Sequence, residues 1–300
     1  MSYSFTLDDA DVAQGLRRIA LDQIDRGLAE SENAELPMAE RIHQLRKRCK
    51  KLRGLIRLVR PVFADYAAEN AAFRDAARRL SDVRDAAALV ETCDALTERF
   101  EDQLSRDAFD GLRARLVSEA QAHEGAADVE ERLERSRADL RAARGRAAGW
   151  TLDRDGAPAV ARGAAKTARR ARKAMRTARK HPGEETFHDW RKRAKYHWYH
   201  MRLLKNASPM LAAQADVADR LAEDLGQHHD THVMEAALER RSGDIPEEGA
   251  QALRGLLLAR REALAEAALR QGGAIFTEAP EAQERRISGY WDAWRGEESP

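Results

Sequence analysis

Apolar positions recur along this chain at helical intervals. Ile42, Leu45, Cys49, Leu52, Ile56 and Val59 follow one another three or four residues apart, which places them on one face of an α-helix. Phe187, Trp190, Ala194, Met201 and Leu204 repeat the pattern in the second half, and Ile287, Tyr290, Trp291 and Trp294 repeat it near the end. Pro37, Pro61, Pro158, Pro182, Pro209, Pro246 and Pro280 fall between these periodic segments. Proline is tolerated in the first turn of a helix and disfavoured inside it, so each marks a helix start. The pattern predicts helices over 8–31, 38–60, 62–80, 83–104, 105–123 and 128–148. A second series is predicted over 159–180, 183–205, 209–226, 228–241, 247–271 and 279–295. The Gly- and Asp-containing stretch 149–158 reads as a linker between a first helical half, 1–148, and a second, 159–300.

Composition supports helices throughout. About one residue in five is Ala, and aromatics are only 6% of the 300 residues. Ala, Leu, Arg and Glu are strong helix formers, whereas the residues that favour strands are scarce here. An all-α fold is expected, and a parallel-sheet α/β fold is not. Two cysteines, Cys49 and Cys93, cannot build a disulfide framework and read as reduced thiols. No apolar run approaches the ~18 residues a membrane span needs, and the N-terminal stretch lacks a signal-peptide pattern. A soluble, cytoplasmic chain is the expectation. No Gly-rich phosphate loop, Ser-His-Asp arrangement or clustered cysteine site is present, so neither a cofactor nor a catalytic nucleophile is expected. Met175, Met201, Met210 and Met234 read as core, and the stripe from Ile287 to Trp294 as the docking face of the last helix.

The formal net charge of +1 conceals a segregation. Residues 41–60 hold nine Lys/Arg and no acid, and residues 159–205 hold fifteen against three acids. Residues 1–40 carry nine acids and three Arg. Such asymmetry points to a basic site on an otherwise acidic body.

The basic stretches repeat. IHQLRKRCKKLR (42–53) aligns with FHDWRKRAKYHW (187–198) at an offset of 145, matching His43 to His188, Arg46 to Arg191, Lys47 to Lys192 and Lys50 to Lys195. At the same offset, LSDVRDAAALV (80–90) aligns with LGQHHDTHVME (225–235), matching Leu80 to Leu225 and Asp85 to Asp230. On a helical wheel Arg46, Lys47, Lys50, Arg53 and Arg57 lie within roughly 80° of His43, opposite the apolar face. His188, Arg191, Lys192, Lys195 and Arg202 form the matching ladder. Like charges at i,i+3 and i,i+4 repel, and a bound anion would relieve that repulsion. Gly54 lies on the same face, where a ligand or a second helix could approach closely. Arg17 and Arg18 in the first helix, and Arg162, Lys166 and Arg169 in the helix after the linker, would add to the field.

The two H-x-x-R-K-R-x-K blocks, with the leucine-to-aspartate blocks that follow, resemble the CHAD family, the conserved-histidine α-helical domain. The resemblance runs from about residue 5 to 295. It implies two antiparallel helical bundles, related by a pseudo-twofold axis after internal duplication, around a basic central surface. It also implies binding of inorganic polyphosphate, often with localisation to polyphosphate granules. The implied ligands are His43, Arg46, Lys47, Lys50, His188, Arg191, Lys192 and Lys195, with Arg53, Arg57 and Arg202 as extensions. Departures exist: Arg53 is matched by Trp198 and Lys51 by Tyr196, so the two faces need not be equal. The ExExK signature of an attached triphosphate-tunnel domain is absent, so its catalysis is not transferred.

Two other functions fit parts of the pattern. A nucleic-acid-binding module would use the same cations and could stack bases on Trp190, Tyr196, Trp198 and Tyr199. An HD-type metal-dependent phosphohydrolase would use His229-Asp230, helped by His188, His228 and His232. The repeat places Arg84 where that enzyme needs His229, which weighs against it.

Overall fold

The computed structural model describes residues 3–103, 107–241 and 247–296. Pro246, the helix boundary expected at 104–105 and the two chain ends lie outside the described residues. The fold is all-α. Among the described residues, eleven α-helices run in order: α1 (Val12–Glu32), α2 (Met38–Leu58), α3 (Tyr66–Arg78), α4 (Ser81–Arg99), α5 (Asp107–Glu124), α6 (Val129–Ala147), α7 (Ala157–Lys180), α8 (Glu184–Leu204), α9 (Pro209–Arg240), α10 (Glu247–Ile275) and α11 (Pro280–Arg295). One 3-10 turn, Lys205–Ala207, joins α8 to α9.

The apolar stripes behave as their period requires. Ile42, Leu45, Cys49, Leu52, Ile56 and Val59 are fully buried, as are Trp190, Met201 and Leu203. Burial of this apolar area is the main stabilising term of the fold. The largest core cluster draws on both sequence halves, including α1, α2, α3, α6, α7, α8, α9 and α11. A second cluster joins α4 and α5 to the far end of α9 and to α10. The last helix docks through its aromatic stripe: Trp291 meets Phe5 edge-on, with centroids 5.5 Å apart, and Ile287 is buried. Met175, Met201 and Met234 are core, but Met210 lies in the first turn of α9 and is 62% exposed.

Three local expectations change. The helices expected over 209–226 and 228–241 form the single 32-residue α9. Gly226, with Gln227, does not break it, because glycine costs an interior position only about 1 kcal/mol. The segment 149–158 is tied to the core at its two buried residues, Trp150 and Ala157. Trp150 is 2% exposed and packs against Phe63 and Phe73. The Asp153 amide donates to the Val62 carbonyl (2.9 Å). Asp155 accepts from the Val12 amide (2.7 Å). Gly156 takes the left-handed φ of 62° that turns the chain into α7. Finally, α1 begins at Val12, where the Asp11 carboxylate caps the Gln14 amide (2.6 Å).

Two glycines set the helix crossings on α2. A Cβ on Gly54 would stand 2.9 Å from the Tyr199 ring. The His200 imidazole donates to the Gly54 carbonyl (3.2 Å). The occupant of this gap is therefore a second helix, α8. A Cβ on Gly163 would stand 1.6 Å from the Leu58 carbonyl oxygen, so α7 crosses the end of α2 at backbone contact.

Candidate anion site where two cationic helix faces meet

Helices α2 and α8 bring the two ladders together. Lys50 is exposed, yet much protein surrounds it. That burial, together with the charges of Arg46, Arg191 and Arg84, pushes its pKa down to about 8. Lys195 is likewise lowered to about 8: burial dominates, and Arg191 and Arg202 add to it against the opposing charge of Asp219. Arg46 and Lys50 of one half thus share an electrostatic neighbourhood with Arg191 of the other. Arg84, contributed by α4, joins them. Its helix packs on both α2 and α9.

Several buried donors in this neighbourhood make no hydrogen bond: Arg46 Nε, Arg84 Nη1, Arg191 Nε, His188 Nδ1 and His229 Nδ1. Unsatisfied buried polar atoms are costly and usually mark a functional demand. The remaining donors of Arg46 are used. Nη1 donates to the Ala77 carbonyl (2.6 Å) and Nη2 lies 3.6 Å from the Asp85 carboxylate. The bond to Ala77 anchors the guanidinium. Asp230, the repeat-equivalent acid, is raised by burial despite the nearby charges of Arg191 and Arg84.

The histidines are held neutral. Burial and then the Arg84 charge lower His43. Burial, Lys192 and Arg191 lower His188. The His188 and His229 rings lie 4.4 Å apart, and burial with Arg191 and His188 drives His229 down to about 4. A neutral imidazole offers one N–H donor; an approaching anion favours the doubly donating cation.

Aromatic faces support the outer cations. The Lys195 ammonium sits 3.8 Å above the Trp198 ring and the Arg202 guanidinium 4.9 Å from it. Arg57 lies 4.1 Å from the Tyr196 ring. Such contacts are worth up to about 2 kcal/mol when desolvated, so these rings hold cations. Trp190, Trp198 and Tyr199 are buried and offer no exposed face for a base to stack on. Arg53 and Arg57 share Asn70 as an acceptor, at 3.2 and 3.5 Å. Lys47 is exposed, and Lys192 is exposed 3.8 Å from Asp189.

Other expected residues lie differently. Arg18 forms an ion pair with Asp9 (2.6 Å) and donates to the Ser4 carbonyl; Arg17 donates to the Trp150 carbonyl (2.8 Å). Both fasten α1 to the chain around it, Arg18 through Asp9 and Ser4 and Arg17 through Trp150. Arg162, Lys166 and Arg169 lie on α7, beside the C-terminal end of α2. Arg60 and Arg193, absent from the ladders read off the helical wheel, lie among these cations, as do Arg84 and Arg170. Arg60 follows the end of α2, beyond the reach of a helical wheel, and Arg84 and Arg170 come from other helices. His197 is buried with neither ring nitrogen partnered. Among the described residues, no group of three or more His, Cys, Asp or Glu is arranged to hold a metal ion. No helix among them is long and apolar enough to cross a membrane.

Comparison with known proteins agrees with this architecture. The crystal structure of the CHAD domain from the plant Ricinus communis superposes with a TM-score of 0.57 at 19% identity, covering 93% of this chain and 95% of that one. At that identity the match speaks to the fold. No curated protein matches the sequence. The sequence model of the CHAD domain matches residues 18–239, which include both H-x-x-R-K-R-x-K blocks. The chain therefore belongs to the CHAD family.

Proposed function

We propose that the protein is a non-catalytic receptor for inorganic polyphosphate, bound on the basic surface where α2 and α8 meet. The observation that carries this reading is the crowding of Lys50, Arg46, Arg84 and Arg191 with unsatisfied donors among them. Polyphosphate is a flexible chain of phosphates with no bases. Its receptor needs many cations in register and no base-reading groups. Arginine supplies forked donors to phosphate oxygens, and lysine supplies a mobile point charge. Both are present here, held by Ala77, Tyr196 and Trp198 rather than by base-stacking platforms.

A nucleic-acid-binding role draws on the same cations, but the aromatics it needs are buried or covered by Arg57, Lys195 and Arg202. Association with polyphosphate granules in the cytoplasm follows from the proposed ligand. The test is a titration with long-chain polyphosphate at several salt concentrations. The plot of log K against log salt is expected to slope by roughly −0.7 per phosphate neutralised, the single-strand value. A slope near zero, or displacement of polyphosphate by equimolar RNA, would overturn the proposal.

A further inference from the structure

The charge on α7 is one-sided. Residues 159–183 contain no acid, and Arg162, Lys166, Arg169, Arg170 and Lys173 all face solvent. Alanines fill the opposite, buried face. Among the described residues, Arg169 pairs with Glu281 (2.5 Å), and no carboxylate pairs with Arg162, Lys166, Arg170 or Lys173. In α1 the arginines are occupied: Arg17 by Trp150, Arg18 by Asp9 and Arg26 by Asp22. The excess on α7 has no match there.

The position of this stripe follows from Gly163. Because α7 crosses α2 at backbone contact with Leu58, its cations lie beside those at the end of the α2 ladder. Arg170 is depressed by burial and then by Arg60, Arg193 and Arg57. Lys166 is depressed by burial and then by Arg60, Arg170 and Arg162. Cations thus run from Lys50 and Arg191, through Arg53 and Arg57, to Arg60 and Arg170, and on to Lys166 and Arg162. Two clefts flank the helix. One of about 530 Å³ is lined by Arg154, Arg162, Lys166 and Arg169, with Glu284 at its edge. The other, about 640 Å³, lies between α7 and α8 and is lined by Arg170, Lys173 and Arg193, with Glu185 and Asp189.

We infer that α7 extends the central site into a one-sided track, so that the protein holds long polyphosphate chains more tightly than short ones. The inference rests on the polyphosphate reading of the central site. With 24 residues at a rise of about 1.5 Å each, α7 is about 36 Å long. An oligophosphate that fills the central cluster leaves this length untouched. A long chain follows the stripe and releases further counterions along it.

The test compares tripolyphosphate with long-chain polyphosphate on three proteins. These are the wild type, an α7 variant (R162Q, K166Q, R169Q and K173Q) and a central variant (R46Q and K50Q). The α7 variant is expected to bind tripolyphosphate as the wild type does. Its salt slope for long chains should be shallower by about 3, at roughly 0.7 per charge removed. The central variant should lose affinity for both ligands. Wild-type affinity and slope for long chains in the α7 variant would overturn the inference while leaving the central site intact. Loss of RNA binding alone in that variant would assign the stripe to nucleic acid and also overturn it. Failure of the wild type to bind either phosphate ligand would overturn the underlying reading itself.

Discussion

At the scale of single residues, the close approaches are made by glycine. The Gly163→Ala methyl would collide with the Leu58 carbonyl oxygen, which is backbone and cannot swing away. Overpacking of this kind costs about 1–3 kcal/mol or more, so a clear drop in Tm is expected. Gly145→Ala is the control: it lies within α6 with nothing within 4 Å of the new methyl, and should be neutral or slightly stabilising. Equal Tm changes for the two would contradict the crossing described here. Lys50 and Lys195 offer a second test at this scale. With values near 8 in the free protein, both lose charge as pH rises through that region, and a bound anion favours the charged forms. Affinity for polyphosphate is therefore expected to fall between about pH 7 and 9, and K50R with K195R should flatten the fall, because arginine stays charged. An unchanged profile in that double variant would remove these lysines from the binding step.

At the scale of elements, the two ladders and their apolar backs were legible because an amphipathic helix writes its faces into a 3.6-residue period. Every core-side residue read off α2 is buried. The fate of Arg17 and Arg18 was not legible, since their partners Trp150 and Asp9 lie outside α1 and are set by tertiary contacts. Nor was the continuity of α9, where a glycine punctuates the sequence but not the helix. The role of Asp85 became visible only when α4 was placed against α2. Its exposed carboxylate, 3.6 Å from Arg46, competes with an incoming phosphate. Exposed pairs are worth about 0–1 kcal/mol, so Asp85→Asn is expected to raise polyphosphate affinity by no more than about fivefold. A weakened affinity in isothermal titration would instead make Asp85 a positioning group for Arg46.

At the scale of the whole molecule, both halves of the sequence feed the main core, and the 149–158 segment is anchored to it by Trp150 and Ala157. Four histidines within or beside that core are held neutral. Burial leads in each case, bringing His197, His228 and His229 to about 4 and His200 to about 3. In the unfolded chain they titrate near 6.5. Between these values the unfolded state binds more protons, so stability falls as pH drops from about 6.5 toward 4. Urea midpoints should decline across that window, and less so for His197→Phe. A midpoint that stays constant from pH 7 to 5 would contradict the burial described for these rings. The near-zero net charge is also a whole-molecule property: the acids lie mostly outside the two ladders, so the average hides the local field.

The central claim is that cations from both sequence halves converge on one polyphosphate site. The most direct measurement is a titration of long-chain polyphosphate into wild type and into a folded variant carrying R46Q, K47Q, K50Q, R191Q, K192Q and K195Q, with folding verified by circular dichroism. The account expects the variant to lose most of its affinity and most of its salt dependence, and each half-variant (three substitutions) to be intermediate. Wild-type binding by the six-fold variant would contradict it.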